Sequence, residues 1–151
     1  MNENFESINL SPGAVSEFIE STSNLQTDLE NSRSTLSSYW IGGSFDNFSE
    51  ACDMEQEKLA ELKGHLDRVV RLIELINEHN EKRRRRDALK AEIAALRSRM
   101  YYTEWDSERG ENVTHERPGV RAEIARKEEE VRRLNERLDQ IVQEIDSVTS
   151  I

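Results

Sequence analysis

Trp40-Ile41-Gly42-Gly43-Ser44 is the stretch on which the fold turns. Two adjacent glycines supply the left-handed backbone that ends a helix, and Ser44 can cap a following one, so the chain is expected to reverse direction here. Upstream, Ser11-Pro12 reads as a helix start, because a serine oxygen caps free N–H groups and proline at the first helical position loses no hydrogen bond. Val15, Phe18, Ile19, Thr22, Leu25, Leu29, Ser32, Leu36 and Tyr39 then recur at three-four spacing, lining one face of a helix that ends near Tyr39. Downstream, Phe45, Phe48, Cys52, Leu59, Leu62, Leu66, Val69, Ile73 and Ile76 carry the same spacing and miss a beat only at Glu55. The first helix, of about 28 residues and roughly 42 Å, matches residues 44–71 in length, which predicts an antiparallel helical hairpin over 8–80. A lone two-helix hairpin cannot hide its apolar stripe well. Val15, Phe18, Ile19, Leu25, Leu29, Leu36, Phe45, Phe48, Leu59, Leu62, Leu66 and Val69 are therefore the expected partner interface.

Beyond Ile76 the polar run Asn77 to Lys82 and the tetrad Arg83 to Arg86 interrupt the stripe without breaking a helix, so the second helix either continues or bends slightly. Leu89, Ile93, Leu96 and Met100 resume a heptad, and Val120, Ile124, Lys127, Val131, Leu134, Leu138, Ile141, Ile145 and Val148 make a longer one. These predict a second coiled-coil hairpin over 81–151. Its connector, about 101–118, holds Gly110, Asn112 and Pro118 and reads as a loop. The third helix, from about Gly119 to Ser147, outruns the 83–100 arm, so its end is expected to pack back along 70–82. The expected fold is all-α: an elongated helical hairpin extended by a second one.

Composition agrees with long helices. Of 151 residues, 35% are hydrophobic and 34% charged, too few apolar groups and too many charges for a thick closed core. Six glycines and two prolines are too few for the turns of an all-β fold, and no Gly-rich phosphate loop is present. The net charge of −10 is carried by the first half: residues 1–80 hold 15 acids and 5 bases, whereas residues 81–151 hold 16 of each. No run is apolar enough for a membrane span, and the polar, acidic start MNENFESINLSPG is unlike a secretory signal peptide. The single cysteine and three histidines have no standard zinc spacing, so neither metal nor cofactor is expected.

The Ser-Pro helix start, Trp40-Ile41-Gly42 at the turn, Phe45 and Phe48 behind it and a second amphipathic helix together resemble the W-x-G family of small proteins exported by bacterial type VII secretion. The resemblance covers roughly residues 8–80. It implies a hairpin that dimerises, with a second copy or a related W-x-G protein, into an antiparallel four-helix bundle. It also implies a turn, formed by Trp40, Gly42 and Gly43, that the export machinery reads, with the secretion ATPase as an indirect partner. The family's export signal is a Tyr followed four residues later by Asp or Glu, which Tyr102 and Asp106 match. The 81–151 extension looks like the longer helical partners that dock on N-terminal helical domains of type VII effectors. The implied localisation is cytoplasmic before export, then secreted or cell-surface by a route without a signal peptide.

Each singled-out residue also has a plainer reading. Trp40 can simply close the hairpin end, and Tyr102 to Asp106 can be a solvated loop with its aromatics over the coiled-coil tip. Arg83 to Arg86 invite a nucleic-acid hypothesis, but consecutive helical residues point around the whole circumference and an acidic protein repels a polyanion, so no nucleic-acid partner is expected. A basic collar pairing with glutamates of the third helix is the stronger reading. Arg126 to Arg137 read as a salt-bridged solvent face. His65, beside Leu62 and Leu66, reads as a partly buried interface histidine, His79 and His115 lie in polar segments, and Cys52 is a small core residue. No nucleophile–base pair can be assembled, so no catalytic residue and no enzyme is expected. The competing class is an intracellular coiled-coil scaffold or adaptor in which Trp-x-Gly is coincidental.

Overall fold

In a computed structural model, which describes residues 11–40 and 42–150, the chain forms three helices and one two-stranded sheet. Ile41, the middle residue of the Trp-x-Gly motif, and residues 8–10 of the expected first hairpin lie outside the described residues. The helices are α1 (Pro12–Ser37), α2 (Gly43–Ser98) and α3 (Val120–Thr149); the strands are β1 (Tyr101–Asp106) and β2 (Glu111–Glu116). The fold is thus mostly helical but not all-α. The described residues fall into two units, 11–76 and 77–150, and the division lies inside α2, which runs unbroken for 56 residues.

α1 starts where the proline places it, with Pro12 in the first turn, but the Ser11 side chain makes no capping hydrogen bond. The helix is rich in hydroxyls: Ser16, Ser21, Thr22, Thr27 and Thr35 each donate to the carbonyl four residues back. Such back-bonding satisfies the hydroxyl without adding to packing. At its end Tyr39 N and Trp40 N both donate to Leu36 O, at 3.0 and 2.9 Å.

The two glycines divide their work differently from the expectation. Gly42 alone takes positive φ, +125°, and its carbonyl accepts from Phe45 N (2.9 Å) and Asp46 N (3.3 Å), so it opens α2. Gly43 is already helical, and Ser44 lies inside the helix and is not its cap. Nothing crowds a Cβ at Gly42, but its backbone angle is one that L side chains rarely adopt. Gly42→Ala should therefore cost about 1 kcal/mol or more. Gly43→Ala, in ordinary helix, should be neutral or slightly stabilising. Urea unfolding of the two variants side by side measures the difference.

Within residues 11–76, α1 and α2 exchange bonds at the level where the apolar spacing misses its beat. Gln56 Nε2 donates to Gln26 O at 2.8 Å and Gln26 Nε2 to Gln56 O at 3.5 Å. Nearer the turn, Arg33 pairs with both Glu30 and Asp53. Among the described residues of 11–76, Thr22 and Cys52 are buried along the paired stretch, and Ile73, Leu75 and Ile76 at its end.

Residues 77–150 are built differently. Leu89, Ile93, Ile124, Leu138, Ile141 and Ile145, all heptad positions, are buried. Ion pairs stitch α2 to α3 beside them: Glu78–Arg137 at 2.8 Å, Arg85–Glu130 at 3.0 Å, Glu92–Lys127 at 2.6 Å and Arg97–Glu128 at 2.5 Å. From Glu78 through Arg85 to Glu92 on α2 the partners run backwards along α3, from Arg137 through Glu130 to Lys127. Arg137 also reaches Glu144 at 2.7 Å, and these two carboxylates, Glu78 first, raise its guanidinium pKa. Its side chain and both partners are only about one-third exposed, so this network is screened less than a surface pair. Arg85 supplies the expected bond of the basic collar to α3, whereas Arg86 pairs with its neighbour Asp87.

The connector is a β-hairpin where a loop was expected. Its register runs from Tyr101 opposite Glu116 to Asp106 opposite Glu111. Asp106 builds the turn: its Oδ1 accepts from Glu108 N (2.9 Å) and Arg109 N (3.2 Å), and its carbonyl from Gly110 N (2.8 Å), with Gly110 at φ +69°. At the base, Arg117 N donates to Met100 O at 2.8 Å, and Arg121 grips Glu116 with two bonds at 2.8 and 2.9 Å. Asn112, counted as a loop residue, sits in β2.

Along α3, Arg132 and then Arg133 hold the Glu129 carboxyl down to about 2, and Lys127 lowers that of Glu92. A carboxyl depressed in the folded state adds stability above its ordinary value of 4.5, and that contribution fades as pH falls toward 2. Apart from the half-buried Lys127, these carboxylates and arginines keep about two-fifths or more of their side chains in solvent, so the effect is small and sensitive to salt. The melting temperature should fall between pH 4.5 and 2 in low salt, less steeply for Glu129→Gln, and thermal circular dichroism at each pH reports it.

Candidate functional site

The twelve positions of the expected interface are all at least partly exposed. Phe18, Leu25, Leu36, Leu62 and Val69 are exposed, Phe18 at 60% and Leu25 at 58%, while Val15, Ile19, Leu29, Phe45, Phe48, Leu59 and Leu66 are half-buried. A patch of this kind along two helices stands out, since large contiguous apolar surface marks interaction sites. Tyr39, just beyond α1, and Met54, on another side of α2, are also exposed, at 84% and 56%.

At the start of α2 three rings meet. Trp40 lies 5.7 Å from Phe48 and 6.2 Å from Phe45, edge-on to the latter, and the two phenylalanines are 6.2 Å apart. Edge-to-face and offset rings at such distances attract beyond simple burial. Trp40 nevertheless keeps 41% of its surface open, so the cluster both closes this end and presents an aromatic face beside Gly42 and Gly43, which are themselves exposed.

Strand geometry puts Tyr102 and Asp106 on the same side of the hairpin, about 13 Å apart along β1. Four residues apart in β1 they lie on one face of the sheet, since side chains alternate with period two. Tyr102 stacks on His115, its cross-strand partner, at 5.4 Å, and the Arg117 guanidinium sits 5.3 Å from its ring centre. Asp106, as described, is engaged in the turn. The two residues of the candidate export signal thus also have structural work in this hairpin.

Two histidine expectations change. His65 is exposed in the single chain where partial burial was expected, with Nδ1 2.7 Å from Arg68 Nη2 and Nε2 3.6 Å from Glu61. His79, in a polar stretch of sequence, is buried at 8% exposure. Cys52 is buried, as its spacing suggested.

The described residues hold no group of three or more His, Cys, Asp or Glu side chains arranged for a metal ion, and no helix among them is long and apolar enough to cross a membrane. Open hollows exist beside Lys90, Ile93 and Val131 and beside Glu104, Trp105 and His115. Neither pairs a nucleophile with a base. Comparison with protein-family models, curated proteins and solved structures finds no match to this chain.

Proposed function

We propose that this chain is a non-enzymatic, W-x-G-type protein of a type VII secretion system that works by forming a helical bundle. In this reading, residues 8–80 are a W-x-G hairpin, 81–151 a coiled-coil hairpin extension, and the first is the part that binds. The observation that carries the proposal is the open apolar face of α1 and the first half of α2: none of its twelve expected interface residues is fully buried. The partner is a second copy, a related W-x-G protein or the N-terminal helical domain of a co-exported effector. Apolar burial at about 25 cal/mol per Å² supplies the binding free energy, less the entropic cost of association. Trp40, Gly42 and Gly43 present the turn to the machinery, and Tyr102 with Asp106 is the candidate signal. The secretion ATPase is engaged through the complex and not by this chain alone.

Light scattering after size-exclusion chromatography, on the protein alone and co-expressed with its genomic neighbours, tests binding; recovery of the complex from the medium tests export. A stable 1:1 complex that leaves the cell supports the proposal, and a protein retained under conditions where a type VII substrate is exported overturns it. The second reading, an intracellular coiled-coil scaffold or adaptor, draws on the 56 unbroken residues of α2 and its ion pairs with α3. It predicts oligomers with no export.

A further inference from the structure

We infer that the open edge of β1 is a second interaction surface, and that its occupant is β1 of another copy of this chain, paired antiparallel about a two-fold axis at Thr103. The inference does not depend on the type VII reading. A two-stranded sheet is marginal by itself, and an unpaired edge is a template for another strand. Among the described residues no third strand pairs with this sheet. β1, Tyr101-Tyr102-Thr103-Glu104-Trp105-Asp106, has none of the usual edge protections of proline, lysine or bulge, and keeps Trp105 at 61% and Tyr101 at 54% exposure.

Backbone alternation fixes the register. Arg117 N donates to Met100 O, so in an antiparallel ladder the even-numbered residues of β1 turn their N–H and C=O toward β2. Those of Tyr101, Thr103 and Trp105 then lie at the open edge. Antiparallel self-pairing that uses all of these groups sets Thr103 opposite the other copy's Thr103, and Tyr101 opposite its Trp105 twice. A shift by one residue would place inward-facing groups opposite outward-facing ones and lose the bonds.

Side chains agree with the backbone. Tyr101, Thr103 and Trp105 share one face, as the 3.5 Å approach of the Thr103 and Thr114 hydroxyls shows for the cross-strand pair. Pairing therefore stacks Tyr on Trp on both sides of the axis, the aromatic cross-strand combination that stabilises sheets. On the other face Tyr102 falls opposite Glu104, with no like charges directly opposed. The edge of β2 lacks this complementarity: its outward groups are those of Asn112, Thr114 and Glu116, and the corresponding register, Thr114 opposite Thr114, sets Asn112 against Glu116 with no aromatic pair. The surface is thus β1 and not β2.

Two proline substitutions separate the edges. Thr103 and Thr114 face each other as a pair whose N–H groups point outward, so proline at either removes no bond between β1 and β2. Each is made in the full-length Leu59→Asp/Leu66→Asp background, which eliminates association through the helical face, and studied by sedimentation equilibrium. The background protein should self-associate reversibly, Thr103→Pro should weaken this about tenfold to a hundredfold, and Thr114→Pro should leave it unchanged. A background protein that stays monomeric, or two prolines of equal effect, overturns the inference. Amide exchange in the same unsubstituted background provides a check that needs no proline. Thr103 and Trp105 amides should slow as concentration rises and that of Thr114 should not; exchange independent of concentration at Thr103 also overturns it.

Discussion

Leu59→Asp/Leu66→Asp should abolish the complex formed through residues 11–76 while leaving the single chain helical. Both leucines are half-buried, so the isolated chain already leaves part of each in water. Covering one fully contributes about 1.5–3 kcal/mol, and an aspartate at that place adds the cost of burying a carboxylate without a partner. Two such positions exceed about 5 kcal/mol, more than three orders of magnitude in Kd. The expected chromatogram loses the wild-type complex and shows monomer mass at the dilution of the column, where the weaker, concentration-dependent pairing of β1 edges dissociates, with an unchanged far-ultraviolet circular dichroism spectrum. A complex of wild-type mass and stability would place the interface elsewhere.

Leu89→Ala and Ile141→Ala should each lower stability by about 2–5 kcal/mol, the range for removing a packed aliphatic side chain from a core that cannot collapse around the void. Both side chains are completely buried, Leu89 in α2 and Ile141 in α3. Against a total of roughly 5–15 kcal/mol this is a large fraction, enough to leave residues 77–150 partly unfolded near 37 °C. Leu25→Ala, at an exposed position of α1, should change the stability of the uncomplexed chain by less than about 1 kcal/mol. Denaturant unfolding of the three variants makes the comparison. An equal loss at Leu25 would mean that the α1 face is covered within the single chain, removing the observation on which the proposed function rests.

The two halves were not equally legible. In 77–150 the heptads name the core correctly: Leu89, Ile93, Ile124, Leu138, Ile141 and Ile145 recur at the spacing of a packed seam and are buried. In 11–76 the same spacing marks both Thr22, Cys52, Ile73 and Ile76, which are buried, and twelve residues that stay at least partly exposed, because periodicity says which side chains share a face and not whether anything lies against it. His65 shows the difference: it is on the apolar stripe by number, yet 55% of its side chain is exposed. His79 shows the converse, a polar neighbourhood in sequence and a buried side chain in space.

The β-hairpin was missed although its signals were present. Tyr101 to Asp106 holds two tyrosines, a threonine and a tryptophan, residues that favour strands, and Gly110 stands four residues beyond Asp106 at a position that suits a hairpin turn. Gly110, Asn112 and Pro118 all favour turns, and β2 between them holds one apolar residue, Val113, so its own strand signal is weak. The candidate site was legible to a similar extent. Trp40, Phe45 and Phe48 were singled out by position, but only coordinates show that their rings meet, and only the strand explains why Tyr102 and Asp106 share a face.

What the sequence by itself determined is local: where α1 and α3 begin, the positive φ available to Gly42, and the heptad spacing along α2 and along α3, since each depends on residues within a turn or two of one another. What only the tertiary structure decided is coverage: that the Gln26–Gln56 exchange fills the missed beat, that Arg137 joins Glu78 to Glu144, and that the β1 edge and the helical face remain open. These depend on groups tens of residues apart. Hydrophobic burial is free of direction and acts wherever surfaces happen to meet, so no spacing along one chain can specify it.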